Sequence, residues 1–281
     1  MGKLIDKIIN IYYNVVNWIL YNIFNIKYGS FKLPVDYNLQ HFDNFMEMTT
    51  EDLDSKYIRR QVWGDYHDKE LQQWYDPKAV TLDNGLCLYI TENTKIVTSY
   101  NINGSLQDNQ VPVTIPNGVG LVTSKEDFGY GVYEWNIKLP KGKQLWPAIW
   151  LTGSKSWPPE IDILEGYSDD NNKYSRNLNT NIHCGHNNSD HYGVGANRHG
   201  LFVNHNSNLN LVCHWTEKYI KIYYNGFLCR VLTNKADLKW FVDNRMFVVM
   251  NTALRLKTGN ILSEVAKEHM IVFGFKYFNI Y

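Results

Sequence analysis

Cysteine is scarce in this sequence of 281 residues, and its four copies are widely separated, at Cys87, Cys184, Cys213 and Cys229. Cysteines this few and this far apart do not form a disulfide framework. No two of them make a C-x-x-C pair, which argues against a structural zinc site. We therefore expect buried free thiols, and a bridge between Cys213 and Cys229 stays open as the alternative.

An excess of charge of either sign is also missing. The chain has 28 basic and 28 acidic side chains, so its formal net charge is zero. Nucleic-acid-binding proteins usually carry a basic excess, so we expect no nucleic-acid partner. Aromatic residues are abundant instead, at 15% with 20 Tyr and 9 Trp. This abundance fits a large core, and it also fits a cleft that binds sugars against aromatic faces.

Long apolar runs are absent from the N-terminal segment, residues 1–27. Apolar residues recur there at spacings of three and four from Leu4 to Ile19, a pattern that predicts an amphipathic helix. No run reaches the roughly 20 residues of a membrane span, and a secretory signal is not recognisable. We expect residues 1–30 to form a helical extension that docks on its own domain, on a protein partner or on a membrane surface. The cellular location stays unknown.

The remaining chain has the pattern of an all-β protein. Residues 31–60 are mixed in character and are predicted to be a connecting segment. From residue 61 onward, short aromatic and β-branched runs alternate with turn signals, which is typical of a β-sandwich. Asn225-Gly226 between two such runs predicts a hairpin. We expect one domain over residues 61–281, with a long loop over residues 185–208, which are rich in Asn, His and Gly.

One segment reads Pro-Glu-Ile-Asp-Ile-Leu-Glu-Gly and carries three acids, Glu160, Asp162 and Glu165. Strict strand alternation puts Glu160 and Asp162 on one face and sends Glu165 to the other. A one-residue bulge near Ile163 and Leu164 would return Glu165 to the first face, and bulges are common beside active sites. The sequence therefore predicts three crowded carboxylates on one face. The alternative is an edge strand with a solvated acidic face.

The acidic segment, E-x-D-x-x-E, follows Leu-Trp-Pro-Ala-Ile-Trp-Leu at residues 145–151. Together the two motifs resemble glycoside hydrolase family 16, and the likeness runs from about residue 60 to the C-terminus. That family comprises retaining endo-hydrolases of β-linked glucans and galactans. The resemblance implies a two-layer antiparallel jelly-roll (concanavalin-like) β-sandwich with a concave substrate cleft. The spacing of the acids is similar to that of the laminarinase, agarase and carrageenase branch, so we expect an extracellular polysaccharide substrate, first of all a β-1,3-glucan.

The resemblance also implies roles for the three acids. Glu160 corresponds to the nucleophile and Glu165 to the general acid/base, the pair that a retaining glycosidase needs. Asp162 lies between them and is expected to share a proton or a hydrogen bond with Glu160. Three carboxylates this close repel one another, so we expect the pKa of at least one of them to be raised.

Aromatic residues and one histidine are candidates for substrate binding. Trp146 and Trp157 flank the acidic segment and are predicted to stack on sugar rings. Trp150 is assigned equally to the cleft and to the core, and Trp135 is predicted to line the cleft. His183 follows the acidic strand at a place where the family often has a cleft histidine, and we expect it to contact the substrate or the acid/base.

No cofactor is expected. His183, His186 and His191 are too loosely spaced to predict a metal site. Many members of the family bind a structural calcium through an Asp in the last strand, where this chain has Phe273. Two other functions remain open: a non-catalytic carbohydrate-binding module, and a transglycosylase. The crowded acids argue against the first, because a binding module has no need for them.

Overall fold

The structure, a computed structural model, describes residues 31–66, 73–97, 113–140, 144–166, 178–195, 197–198, 208–255 and 268–280, together with isolated positions between Leu4 and Ile19. The labelled helices are α1 (Thr50–Lys56) and α2 (Lys235–Leu238). The strands are β1 (Asn38–Asn44), β2 (Tyr57–Ile58), β3 (Gln73–Tyr75), β4 (Val80–Leu82), β5 (Leu86–Leu88), β6 (Ile90–Thr91), β7 (Lys95–Val97), β8 (Val113–Ile115), β9 (Asn117–Phe128), β10 (Gly131–Lys138), β11 (Leu145–Gly153), β12 (Glu160–Gly166), β13 (Leu178–Cys184), β14 (Tyr192–Gly193), β15 (Asn197–Arg198), β16 (Leu209–Trp215), β17 (Ile220–Tyr224), β18 (Phe227–Leu232), β19 (Met246–Leu254) and β20 (Met270–Asn279).

Two large sheets account for most of these strands. The ten-stranded sheet has the order β14-β13-β12-β11-β19-β9-β2, with β3 and β6 added beside β9 and β15 beside β13. The eight-stranded sheet has the order β18-β17-β16-β10-β20-β5-β4, with β1 added beside β20. Among the described strands only the pair β3 and β9 is parallel. The predicted two-layer antiparallel sandwich is confirmed.

Strand alternation builds the core between the two sheets. In β10, Tyr133, Trp135 and Ile137 point inward and are fully buried, whereas Glu134 and Asn136 between them are partly exposed. The ten-stranded sheet contributes an equally dry inner face, in which fully buried aliphatic residues include Ile149, Leu151, Ile161, Leu164 and Ile182. Each such side chain contributes about 1.5–3 kcal/mol through burial. The outer face of the ten-stranded sheet, here called the site face, is left free for polar residues.

The predicted hairpins are present. Strands β17 and β18 pair around Asn225 and Gly226, whose φ angles of 49° and 82° are the two positive values that a type I′ turn requires. Strands β4 and β5 pair around Asn84 and Gly85, which also have positive φ. The Asn-Gly pairs therefore fix these two registers locally.

The segment of residues 31–60, which we expected to be a connection, contributes to both sheets. β1 pairs with β20 in the eight-stranded sheet and β2 pairs with β9 in the ten-stranded sheet. Helix α1 lies between them, and its N-cap Thr49 forms a reciprocal capping box with Asp52. The sandwich therefore begins near Asn38 and not at residue 61. These strands are short and lack clean alternation, so periodicity did not reveal them.

The N-terminal extension stays a prediction as a unit. Single positions between Leu4 and Ile19 are helical, and the side chains of Leu4, Ile8 and Ile11 there are more than half exposed. Within the described part of the chain, no helix has the length and apolarity that a membrane crossing needs. All four cysteines are free and buried, so the open alternative of a bridge between Cys213 and Cys229 is wrong.

Candidate active site

The three acids lie on one face of β12 because the strand carries the predicted bulge. In the pairing with β11, Glu165 is opposite Ala148, Leu164 opposite Ile149, and Asp162 opposite Trp150, so Ile163 has no opposite residue. The pairing with β13 shifts at the same place. Residues directly opposite each other in antiparallel strands share a face. The extra residue therefore returns Glu165 to the site face beside Glu160 and Asp162.

A tyrosine from the other sheet holds the bulge. The hydroxyl of Tyr224, in β17, donates to the carbonyl oxygen of Ile163 at 2.7 Å and lies 3.3 Å from that of Asn179. The carbonyl oxygen that the bulge leaves without a regular ladder partner is therefore hydrogen-bonded by a fully buried side chain of the opposite sheet. Sequence reasoning missed this contact, because Tyr224 follows Asp162 by more than sixty residues and lies in a different sheet.

Each of the three acids has a polar residue of β13 directly opposite it. Glu160 is opposite His183, Asp162 opposite Asn181, and Glu165 opposite Asn179. Asp162 and Glu165 are buried at 4% and 7% exposure, and Glu160 is only partly exposed. The acids are therefore largely out of water and surrounded by polar side chains of one neighbouring strand.

Trp157 and His183 both lie against Glu160. The indole Nε1–H of Trp157 donates to Glu160 Oε2 at 2.7 Å. His183 Nε2 lies 3.5 Å from Glu160 Oε1 and 3.2 Å from Asp162 Oδ2. His183 therefore contacts the predicted nucleophile and its neighbour. We had expected it to contact the substrate or the acid/base.

Burial raises the pKa of Glu160 well above its usual value, and repulsion from Asp162 adds to the rise, while His183 and the Trp157 hydrogen bond oppose it. Burial likewise raises the pKa of Asp162, with repulsion from Glu165 adding, and its hydrogen bond with Glu160 opposing. A hydrogen bond between two carboxyl groups needs one proton. The crowding expected from the sequence is confirmed, and it raises the pKa of both groups; a proton shared between Glu160 and Asp162 stays a prediction.

A second histidine lies behind the first. His183 Nδ1 is 2.7 Å from His191 Nε2, and the two rings stack at 5.0 Å between centroids. The His191 ring also packs against Trp157, at 4.8 Å. His186, the third histidine of the sequence cluster, packs against Trp240 instead. The three histidines thus do not form one site.

Several hydrogen bonds fix the segment that carries His191. Asp190 Oδ1 accepts the backbone N–H groups of His186 and Asn187, which closes a tight turn. Strand β14 then pairs with β13, and the Arg230 guanidinium donates to the carbonyl oxygens of Val194 and Gly195. The described part of the predicted rim loop, residues 185–195, is therefore firmly held beside the acids.

The predicted tryptophan platforms have different positions. Trp146 and Trp157 are partly exposed, as a sugar-stacking role requires. Trp150 is 9% exposed, and its indole N–H donates to Asn251 Oδ1 at 2.8 Å. Trp150 is opposite Asp162 and so lies on the site face, but little of its surface is exposed, and the cleft and core alternatives both stay open. Trp63, which sequence reasoning did not select, packs beside Trp150 at 6.3 Å and is partly exposed.

The prediction that Trp135 lines the cleft is wrong. Trp135 belongs to β10 of the other sheet, is fully buried, and stacks on Phe275 at 5.1 Å. A residue inside the sandwich cannot touch a polysaccharide on the site face. The alternation of Tyr133, Glu134, Trp135 and Asn136 was the available signal, because it puts the two aromatic residues together on one apolar face.

One group of side chains has the residue types that bind metal ions. Glu160, Asp162 and His183 bring ligand atoms within 4.8 Å of one another, the one such group found in the described ranges. Glu160 Oε2 in this group already accepts the N–H of Trp157, and His183 Nδ1 already faces His191. A calcium site of the expected kind does not fit, because Phe273 offers no side-chain ligand and its carbonyl oxygen accepts the N–H of Phe45.

Comparison with known families gives one match over most of the chain. The family model described as "Glycosyl hydrolases family 16" matches residues 71–259. Among solved structures, the laminarinase catalytic domain from Thermotoga maritima MSB8 superimposes with a TM-score of 0.65, at 21% identity, over 87% of this chain and 98% of that chain. LamAcat from Zobellia galactanivorans gives a TM-score of 0.65 at 20% identity, over 86% and 98% of the two chains. At these identities the likeness shows the fold.

Curated relatives match over shorter stretches. The endo-1,3-1,4-beta-glycanase EglC of Rhizobium meliloti (strain 1021) is 34% identical over 65 residues, 22% of this chain and 14% of the relative. The glucan endo-1,3-beta-glucosidase of Cryptopygus antarcticus is 44% identical over 50 residues, 16% of this chain and 18% of the relative. The matched stretches therefore span less than a fifth of either relative's length.

Proposed function

Because the chain belongs to glycosyl hydrolases family 16, we propose that it is a retaining endo-β-glycanase that cleaves internal linkages of a β-1,3-glucan or a related β-glucan or galactan. One observation carries the proposal. The bulge in β12 puts Glu160 and Glu165 on the same face, with Asp162 between them. Two carboxyl groups that face the same cleft and flank the scissile bond are what double displacement requires.

In the first step, the Glu160 carboxylate attacks the anomeric carbon while Glu165 protonates the departing oxygen. Glu160 must be ionised to attack, although burial and repulsion raise its pKa. The hydrogen bond from Trp157 stabilises the ionised form, and a proton held on Asp162 removes one of the repelling charges. In the second step Glu165 takes a proton from water, which then hydrolyses the covalent intermediate.

The choice of substrate is supported by the names of relatives. The curated relatives are described as a glucan endo-1,3-beta-glucosidase and an endo-1,3-1,4-beta-glycanase, and the solved structures as laminarinases. The partly exposed Trp146, Trp157 and Trp63 would supply flat apolar surfaces for glucose rings. We propose β-1,3-glucan first on these grounds.

A polysaccharide panel tests the proposal. Purified protein is incubated with laminarin, mixed-linkage β-glucan, cellulose, agarose and carrageenan, and reducing ends are measured over time. The proposal expects release from laminarin, with oligosaccharides of several lengths appearing early, as endo-cleavage gives. Binding to a glycan without release of reducing ends would favour a carbohydrate-binding module. A short oligosaccharide of the same glycan is added in a second assay, and products longer than this oligosaccharide would favour a transglycosylase.

A further inference from the structure

We propose that His191 is a positioning residue: its Nε2 accepts the Nδ1–H of His183, and this keeps the bare Nε2 of His183 turned toward Asp162 and Glu160. The inference rests on the proposed hydrolysis, in which these two acids share the proton that decides whether Glu160 can attack. It is carried by a directional chain of hydrogen bonds that begins at a backbone amide.

The chain begins at Ile182, whose backbone N–H can only donate. It donates to Asn181 Oδ1 at 3.0 Å, which fixes the orientation of the amide. The other amide atom, Asn181 Nδ2, then lies 3.0 Å from His183 Nε2 as a donor. Two donors do not face each other at this distance, so Nε2 of the neutral His183 ring carries no proton.

The proton of neutral His183 is therefore on Nδ1, where the partner at 2.7 Å is His191 Nε2. His191 must accept with this nitrogen and carry its own proton on Nδ1. Burial and the neighbouring His183 lower the pKa of His191, which favours the neutral, accepting form. The two rings thus have one consistent pair of tautomers.

The charged and titratable groups around this pair come from three elements. Glu160 and Asp162 on β12 face His183 Nε2. Arg230 on β18 opposes the rise in the pKa of Asp162. In the loop itself, Asp190 Oδ1 accepts the N–H groups of Asn187 and His186, which lower the pKa of Asp190. None of these groups offers His183 Nδ1 a second acceptor in the described part of the chain.

The consequence is a proton acceptor aimed at the acid pair. Nε2 is bare and lies 3.2 Å from Asp162 Oδ2, a buried oxygen that has no hydrogen-bond partner among the residues that the structure describes, so a proton on this oxygen lies next to a nitrogen that can take it. Without an acceptor at Nδ1, the ring would favour the opposite tautomer, whose Nε2–H opposes the Asn181 amide. The ring of His191 also packs against Trp157, the residue that donates to Glu160.

Two substitutions separate hydrogen bonding from ring packing. His191→Phe keeps an aromatic ring against His183 and Trp157 but has no acceptor, whereas His191→Gln keeps an acceptor and loses the ring. We expect His191→Phe to lower kcat about tenfold with KM unchanged, and His191→Gln to retain most of the activity. His186→Gln, in the same loop but outside the chain of hydrogen bonds, is the matched control and should behave as the unsubstituted protein.

The nitrogen chemical shifts of the histidine rings, measured on the ¹⁵N-labelled protein, show directly which nitrogen of His183 is protonated. The proposal expects Nδ1–H in the unsubstituted protein and a change in His191→Phe. A protonated Nε2 in neutral His183 would overturn it, as would an active His191→Phe beside an inactive His191→Gln, or two fully active variants. If both variants are impaired, the His183 shift alone decides. Because this readout needs no substrate, it also separates failure of this inference from failure of the proposed hydrolysis.

Discussion

Two clusters in this protein bury carboxylates, and their surroundings are opposite. Asp43, in β1, is fully buried and accepts hydrogen bonds from Lys56 at 2.5 Å, Tyr57 at 2.6 Å and His41 at 2.7 Å. Glu160 and Asp162 are buried beside each other and beside a third acid, with fewer compensating donors. The charge of Asp43 is balanced by its three donors, whereas Glu160 and Asp162 lie among other carboxylates.

The pKa values follow from this difference. Burial alone would raise the pKa of Asp43, but the hydrogen bonds from His41, Lys56 and Tyr57 outweigh it, so the pKa is lowered. At Glu160 and Asp162 burial and mutual repulsion act in the same direction, and both pKa values are raised. The partners of the buried carboxyl groups therefore give a structural carboxylate in one place and a pair with raised pKa values in the other.

The two clusters also affect stability in opposite directions as pH changes. Asp43, with a lowered folded pKa, stabilises the fold above about pH 4, the unfolded value, and this contribution is lost as pH falls. Glu160 and Asp162, with raised folded pKa values, hold protons that the unfolded chain has released above about pH 4. Their contribution therefore becomes less favourable as pH rises through the folded pKa values.

Removing the proposed nucleophile gives the largest expected effect. Glu160→Ala should lower kcat by about 10⁴- to 10⁶-fold, the range for loss of a covalent nucleophile. Because the change also removes one of three repelling acids, the melting temperature at neutral pH should be unchanged or higher. Reducing-end assays and thermal unfolding check both parts. A large loss of stability would assign Glu160 to the structural class of Asp43.

Removing the proposed acid/base should have a smaller effect that depends on the leaving group. Glu165→Ala is expected to lower kcat on a polysaccharide by about 10²- to 10⁴-fold, the usual contribution of general acid–base catalysis. Activated aryl glycosides need no protonation of the departing oxygen, so the first step on them should be spared. Equal losses on both kinds of substrate would contradict the role given to Glu165.

The structural cluster should respond in stability alone. Asp43→Asn leaves the buried Tyr57 hydroxyl and His41 without their anion, and should lower the free energy of unfolding by about 1–3 kcal/mol. Activity per folded molecule should not change. Chemical unfolding at pH 7, together with the assay on laminarin, tests this. An activity loss without destabilisation would erase the distinction between the two clusters.

The donor on Glu160 gives the smallest expected effect. In the unsubstituted protein, the hydrogen bond from Trp157 to Glu160 Oε2 lowers the pKa of Glu160. Trp157→Phe removes this hydrogen bond, so the pKa of Glu160 should rise. Since Glu160 must be ionised, the acidic limb of the kcat profile should move to higher pH. His186→Gln is again the control variant. An unmoved limb with weaker substrate binding would make Trp157 a stacking platform only.

Local patterns accounted for much of the fold and for the acids. Alternation in the acidic strand, together with the spacing from Glu160 to Glu165, was enough to predict the bulge that the structure contains. Asn225-Gly226 was enough to predict a hairpin and its turn. These features are determined within a few residues, so a single sequence contains them.

Contacts between distant elements were not predictable. Tyr224 reaches the bulge from the opposite sheet, and His191 reaches His183 because β14 pairs back on β13. Trp63 packs against Trp150 although the two residues are far apart in the sequence. For Trp135 alternation indicated an apolar face, but the sheet to which its strand belongs is a property of the whole topology.

The stereochemistry of cleavage tests the central claim most directly. If Glu160 forms a covalent intermediate, each of the two displacements inverts the anomeric carbon, and the product keeps the β configuration. Proton NMR of laminarin digestion, recorded before mutarotation, follows the reducing end that forms first. We predict that the β anomer appears first and that the α anomer grows in later. An α anomer at the start would mean inversion in a single displacement, and would contradict the assignment of Glu160 as nucleophile.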